Sequence, residues 1–445
     1  MSRKTSDRQL QVVISKSRRA LSIPSIFLLG CCAACGSTDA TVQSASSGAG
    51  GMPGAVGGAV NTAGAANNAG AAGLISSGQA GGSESGGGGE QAGAVGSAGS
   101  SAGTAGSVGN GGASGAGAGN GGASGGEVSS VGDGDFMVGP TYTKSPDLTN
   151  KGAPAGKSFH FSLSSANSQI FKGTDSTLAA ANQHSFTRGI DVYIPAKYKD
   201  GQAAPFMVIQ DGPGQLGNIK LALDNLTQST DPARRLPAFI AIAVANGGGD
   251  SIGSERGLEY DTMSDRYARF IQTEVLPAVL ADPGIKAAYP GLALTGNPDG
   301  RATIGCSSGA AAALTMGWFH PEWFGRIVTY SGTFVAQQNP AAAEKAQFPD
   351  GAWDYHSDLK LIAGAAVKPL RIFINANEKD NGYNAAESGR HNWLMANQRT
   401  AAALKAKGYH YRYVEGLGAG HCQGSVQDLT LPDTLLWVWR GYAAE

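Results

Sequence analysis

Between Gly36 and Ser130 the chain has no phenylalanine, tyrosine or tryptophan, one proline (Pro53), and four charged residues: Asp39, Glu84, Glu90 and Glu127. A stretch of this kind cannot bury enough apolar surface to offset the entropy of ordering it, which excludes an independent fold. With so little proline and no Gly-X-Y period, collagen is excluded too. The 445-residue chain also lacks an excess of either charge: 33 Lys and Arg against 34 Asp and Glu give a net charge of −1. No basic stripe runs through the remainder, so a protein that tracks nucleic-acid phosphates is excluded. No apolar run reaches the roughly 18 residues that a membrane-spanning helix needs.

What residues 36–130 do hold is glycine, 32 of the chain's 68. The stretch reads as a disordered Gly/Ala/Ser-rich linker, and at roughly 5–6 Å × √n its reach is about 50–60 Å. Gly109–Gly115 and Gly119–Gly125 are identical, which points to expansion by slippage and not to a structural repeat.

Ahead of the linker, Arg3, Lys4, Arg8, Lys16, Arg18 and Arg19 form a basic region, followed by a short apolar core, Leu21–Gly30. That is the pattern of an export signal and is too short for an anchor helix. Leu28-Leu29-Gly30-Cys31 resembles a bacterial lipobox, which implies lipidation at Cys31, export, and attachment to a membrane of the cell envelope. An ordinary signal cut after Ala33 or Ala34 is the alternative, and Cys32 and Cys35 are rival lipidation sites. Ser17–Leu21 also resembles a twin-arginine export motif. The expected organisation is an export region over 1–35, a linker over 36–130 and one folded domain over 131–445.

In that domain, runs rich in Val, Ile and Phe are bounded by Gly, Pro and Asp: 189–195, 205–211, 238–245, 302–307, 326–331 and 370–376. They read as buried strands. Helical patterns over 263–280, 308–318, 392–407 and 432–440 alternate with them. The alternation predicts an α/β fold with a mostly parallel central sheet and helices on both faces. A site in such a sheet lies at the carboxyl ends of the strands.

Gly305-Cys306-Ser307-Ser308-Gly309 has the G-x-S-x-G form, follows a predicted strand and opens an Ala-rich helix. The turn holds its serine in a strained conformation and needs small neighbours. It resembles the nucleophile elbow of α/β-hydrolases, which makes Ser307 the candidate nucleophile. A serine needs a neighbouring base. Of seven histidines, His421 sits in a Gly-rich loop after the expected last strand, Tyr409–Glu415, where α/β-hydrolases place that base. His391, beside Trp393, is a minor candidate. Asp380, after the penultimate strand, would hold the imidazole, with Glu378 as the alternative acid. The chain order Ser307, Asp380, His421 is that of the hydrolases. Two backbone N–H groups should receive the oxyanion, those of Ser308 and Gly212.

Two of the five cysteines lie outside the export region, Cys306 and Cys422. They flank Ser307 and His421. If nucleophile and base touch, their neighbours fall within the roughly 4.4–6.8 Å Cα separation of a disulfide, and export supplies the oxidising compartment. The arrangement resembles the CS-D-HC pattern of tannase-family esterases, although the span from Asp380 to His421 is too short for their lid.

From about Asp133 to Tyr442 the chain resembles the enterochelin-esterase-like (esterase D) family of α/β-hydrolases. The likeness is carried by Arg188–Pro195, Val208–Gly212, Glu255–Ser264, Arg301–Gly309, Pro321–Gly332, Asn392–Gln398 and Gly418–His421. It implies carboxylic-ester hydrolysis by a Ser-Asp/Glu-His triad with neither metal nor cofactor. It includes esterases of siderophore, feruloyl and acetyl-sugar esters, and the same triad also suits short acyl esters. An acyltransferase using the same triad, or a non-catalytic binding module on the same scaffold, are the alternatives. The chain departs from the family at Cys306, at Ala310 (usually a second Gly) and at Asn377 (usually Gly). Arg256, Glu259 and Trp393 are candidate substrate contacts; for the charged pair a structural ion pair is the competing expectation, and an aromatic at a helix start is as readily part of the core.

Overall fold

Phe206–Gln210, Ile240–Val244 and Arg326–Tyr330 are buried at every position, as strands covered on both faces must be. They belong to a computed structural model that describes residues 131–442. The expected export region with Cys31, Cys32 and Cys35, the linker over 36–130 and the last three residues lie outside the described residues.

The strands in chain order are β1 (Gly134–Val138), β2 (Lys157–Ser164), β3 (Thr187–Ile194), β4 (Ala203–Ala204), β5 (Phe206–Gln210), β6 (Ile240–Val244), β7 (Ala293–Leu294), β8 (Arg301–Cys306), β9 (Arg326–Tyr330), β10 (Arg371–Lys379) and β11 (His410–Gly420). Nine form one sheet in the order β1-β11-β10-β9-β8-β5-β6-β3-β2, while β4 and β7 pair apart from it. From β1 across to β6 every pair is parallel; β3 runs antiparallel to both β6 and β2. The helices are α1 (Leu216–Leu226), α2 (Glu255–Tyr260), α3 (Arg266–Phe270), α4 (Leu276–Ala281), α5 (Pro283–Ala288), α6 (Ser308–Phe319), α7 (Leu361–Gly364), α8 (Trp393–Lys407) and α9 (Gly424–Val438). This is the α/β architecture the alternation predicts. None of the described helices is long and apolar enough to cross a membrane.

Strand side chains alternate between faces, so the core has two layers. Met207 and Ile209 of β5 pack with Leu216, Ile219 and Leu223 of α1 and with Leu431 and Leu435 of α9. Val208, between them, packs with Phe270 of α3 and Met316 of α6 on the other face. The Ala-rich α6 also meets Ile372 and Ile374 of β10 and Leu404 of α8, extending that layer. Buried almost throughout, α6 lies against β8 and β9 and carries the elbow at its amino end.

Two predicted helices differ from their sequence pattern, and several elements went unpredicted. The helical run predicted over 263–280 is broken by a π-turn, Ile271–Val275, just ahead of Pro277, whose missing N–H interrupts the ladder. The last helix begins at Gly424, so Pro432 lies inside it and not at its start. Proline there leaves the carbonyl of Asp428 without its helical donor, and the N–H of Ser145 donates to that oxygen at 3.0 Å. The edge strands β1 and β2 and the helix α1 were not evident in the sequence. In β2 no residue is buried, so it carries no continuous apolar run.

Candidate active site

Ser307 follows β8, Asp380 follows β10 and His421 follows β11. These strands are parallel, so their carboxyl ends bring the three residues to one edge of the sheet. Ser307 has φ 58° and ψ −130°, a sparsely populated conformation for a residue with a Cβ. Its geometry depends on Gly305, where a side chain would collide with the backbone of Gly309 one turn later.

His421 joins the other two. Its Nε2 lies 3.0 Å from Ser307 Oγ and its Nδ1 lies 2.6 Å from Asp380 Oδ1. Asp380 is 1% exposed, and its lone pairs are filled. Oδ1 also accepts the N–H of Asn381 at 2.9 Å, and Oδ2 accepts the Ser331 hydroxyl at 2.7 Å and the N–H of Asn377 at 3.1 Å. The Asn377 side chain donates to the carbonyl of Gly420 at 2.6 Å, which fixes the chain just before His421. Glu378 points elsewhere: it is exposed and accepts the N–H of Gly418 at 2.6 Å. The sulfurs of Cys306 and Cys422 are bonded, with their Cα atoms 6.1 Å apart. The pair thereby ties the residue before Ser307 to the residue after His421.

The Esterase family model matches residues 183–425, more than half of the chain and a span that contains Ser307, Asp380 and His421. The chain belongs to the Esterase family. No curated protein sequence matches this esterase. A ferulic acid esterase structure is similar at 17% identity, covering 65% of this chain and 99% of that one, with a TM-score of 0.44. The CE1 ferulic acid esterase of the anaerobic fungus Anaeromyces mucronatus is similar at 12% identity, covering 68% and 99%, with a TM-score of 0.42. The enterochelin esterase of Shigella flexneri is similar at 18% identity, covering 64% of this chain and 58% of that chain, with a TM-score of 0.41.

Three expected roles in this esterase need correction. The N–H of Gly212 donates to the carbonyl of Val244 at 2.9 Å, so it is not free to receive an oxyanion. What requires glycine there is close approach, since a Cβ would lie 2.9 Å from backbone atoms of Ala243 and Val244. The next residue, Pro213, has no N–H to offer. Arg256 is not a free clamp. Its Nε and Nη2 grip Asp211 at 2.8 and 2.9 Å, and Nη1 donates to the carbonyl of Asp250 at 2.9 Å. Glu259 is buried, pairs with Arg188 and accepts the N–H of Gly247 at 3.2 Å. Burial pushes its carboxyl up, against the pull of Arg188. Both residues brace the scaffold beside the site.

Ser308 and Trp393 lie at the site. Ser308 is the first residue of α6, where the helical ladder supplies no acceptor for its N–H. The Trp393 ring stands edge-on to His421, with centroids 6.1 Å apart, whereas His391 Nδ1 donates to the carbonyl of Gly389 at 2.6 Å. Ser331 and Thr333 were missed by sequence reasoning. Both follow β9, Ser331 within the family-like segment Pro321–Gly332 and Thr333 just after it, but no local pattern marks a serine or threonine as contacting residues 49 or 26 positions away. Close by, Asp261 is buried and pushed up to about 7 by that burial, against hydrogen bonds from Gln337 and Ser308. Among the described residues, one group of three acidic side chains has metal-like spacing, Asp350, Asp354 and Asp358. Arg390 already bridges Asp350 and Asp358.

Proposed function

We propose that this esterase is a serine carboxylic-ester hydrolase in which Ser307 is the nucleophile, His421 the base and Asp380 the acid that orients it. The observation that carries this reading is the continuous contact from Asp380 Oδ1 through the two nitrogens of His421 to Ser307 Oγ, at 2.6 and 3.0 Å. With Nδ1–H donated to Asp380, Nε2 is left as the acceptor that a serine proton needs.

The chemistry follows from that tautomer. Ser307 Oγ attacks the ester carbonyl while its proton passes to His421 Nε2, and the imidazolium is steadied by the buried Asp380. The negative carbonyl oxygen is received by the N–H of Ser308 at the amino end of α6, where the helix dipole also favours it. The alcohol leaves with the proton from His421. Water then attacks the acyl-enzyme by the same route, releasing the acid and restoring Ser307. The substrate class is a small-molecule or carbohydrate-linked carboxylic ester: a siderophore, feruloyl, acetyl-sugar or short acyl ester. We place the enzyme in the cell envelope of a bacterium, anchored by a lipid at Cys31 and extended from the membrane by the glycine-rich linker.

Ser307→Ala tests the mechanism. Hydrolysis of a short p-nitrophenyl ester should fall by several orders of magnitude, and an unchanged rate would end the proposal. A panel of catecholate, feruloyl and acetyl-sugar esters, compared by kcat/KM, sorts the substrates.

A further inference from the structure

The segment after β9 reaches both ends of the Ser307–His421–Asp380 chain, with Ser331 at the acid and Thr333 at the nucleophile. Thr333 is 1% exposed. Its N–H donates to the carbonyl of Ser307 at 3.1 Å, and its Oγ1 lies 3.4 Å from Ser307 Oγ. On its other side, Oγ1 receives the indole N–H of Trp393 at 3.2 Å. Trp393 is held in place as the first residue of α8. Its N–H donates to the carbonyl of Asn381 at 3.0 Å, and the cap residue Asn392 accepts the N–H of Met395 at 2.9 Å. Asn397 donates to the carbonyls of both Gly332 and Trp393 at 2.8 Å, pinning the segment to the helix.

These contacts have a direction. An indole N–H can only donate, so Thr333 Oγ1 is the acceptor in that bond and must send its own proton elsewhere. Ser307 Oγ is the polar atom facing it. The Ser307 proton is committed to His421 Nε2, which leaves the lone pairs of Oγ for Thr333. The chain therefore runs from the Trp393 N–H to the Thr333 hydroxyl, then to the Ser307 hydroxyl, His421 Nε2, and from Nδ1–H to Asp380.

We propose that Thr333 is a further catalytic residue, donating a hydrogen bond to Ser307 Oγ, and that Trp393 is a positioning residue that turns the Thr333 hydroxyl toward it. The proposal rests on the reading of Ser307 as nucleophile. In acylation the O–H bond of Ser307 breaks, its proton goes to His421 Nε2, and its electron pair forms the bond to the acyl carbon. Negative charge passes over Oγ on the way, and the Thr333 donor meets it. In deacylation a water proton goes to His421 and its oxygen bonds to the acyl carbon. The bond from that carbon to Oγ then breaks, with the electron pair and the His421 proton returning to Oγ. The same donor meets the charge a second time. Thr333 keeps its proton throughout. A 3.4 Å separation is long for a hydroxyl pair at rest, and such contacts shorten when the acceptor becomes charged. The donor serves Oγ in both half-reactions, whereas the N–H of Ser308 serves the carbonyl oxygen.

The test is a double-mutant cycle on the full chain, with burst kinetics on a short p-nitrophenyl ester to separate acylation from deacylation. Thr333→Val, nearly isosteric, should slow both steps about tenfold, the scale of one charge-assisted hydrogen bond. KM should barely move. Thr333→Ser, which keeps the hydroxyl, should recover most of the rate, and this rescue separates loss of the donor from loss of the fold. Trp393→Phe should slow both steps several-fold in the parent enzyme and add nothing in the Thr333→Val background. Unchanged rate constants in Thr333→Val would overturn the proposal. So would a Trp393→Phe penalty of equal size in both backgrounds, which would make the indole a packing or substrate contact. Ser307→Ala keeps the two readings apart: if that variant remains active, the nucleophile assignment fails, whatever the cycle gives.

Discussion

The Ser331 hydroxyl donates to Asp380 Oδ2 at 2.7 Å and accepts the N–H of Cys422 at 3.0 Å. One fully buried hydroxyl thus spans from the proposed acid to the residue after the proposed base. Ser331→Ala removes that link and leaves a buried carboxylate oxygen with one donor fewer. Losing one hydrogen bond to a charged group costs about 1.5–3 kcal/mol. The expected outcome is a fall in melting temperature together with a ten- to hundredfold fall in kcat. Loss of stability alone, with kcat retained, would assign Ser331 to the scaffold.

The acid assignment separates two carboxylates two residues apart. Asp380 is buried and touches His421, whereas Glu378 is exposed and holds the N–H of Gly418. Asp380→Asn keeps the shape but presents the wrong partner to Nδ1–H, and kcat should drop by about 10⁴. Glu378→Gln should stay within a few-fold of the parent. The reverse ranking in steady-state kinetics would move the acid to Glu378.

The Cys306–Cys422 bond closes a sequence separation of 116 residues. A loop of that length removes substantial entropy from the unfolded chain, and losing such a bond costs about 2–5 kcal/mol. Replacing both cysteines by alanine should lower the midpoint of denaturant unfolding accordingly. It should also weaken turnover, because the bond ties the elbow to the His421 loop. Peptide mapping of the non-reduced protein should recover the cross-linked pair; two free thiols under oxidising conditions count against it.

How much of this was readable beforehand depended on the range of the interaction. The strands β5, β6 and β9 announce themselves as apolar runs because both their faces are covered. The elbow is legible because close backbone approach demands Gly305. In contrast, β2 exposes every second residue and leaves no such run. Gly212 looked like an oxyanion donor because the letter G does not show that its N–H is already taken by Val244. The pattern of Arg256 and Glu259 favours a structural brace over a substrate clamp but names no partner for either. Their partners, Asp211 and Arg188, lie 45 and 71 positions away. Ser331 and Thr333 acquire their roles the same way, through contacts to Asp380 and Trp393 across 49 and 60 positions.

His356 supplies a pH-dependent prediction independent of catalysis. Its ring lies against Trp353, with Nε2 on the carbonyl of Phe334 at 2.8 Å and Nδ1 beside the Ser357 hydroxyl at 2.9 Å. Burial pushes its pKa down to about 4, against the pull of the Phe334 carbonyl; Arg399 acts with the burial, and Asp358 and Glu387 against it. Because the folded value lies below the unfolded one near 6.5, the unfolded chain binds more protons between the two. The contribution is therefore present in full above pH 6.5 and is lost as pH falls toward 4. At 1.36 kcal/mol for each unit, the loss is on the order of 3 kcal/mol. His356→Gln keeps a donor for Phe334 but does not titrate. In urea unfolding at a series of pH values, the stability of the parent should fall relative to this variant between pH 7 and pH 4. Two curves that stay parallel would show that His356 does not titrate with folding.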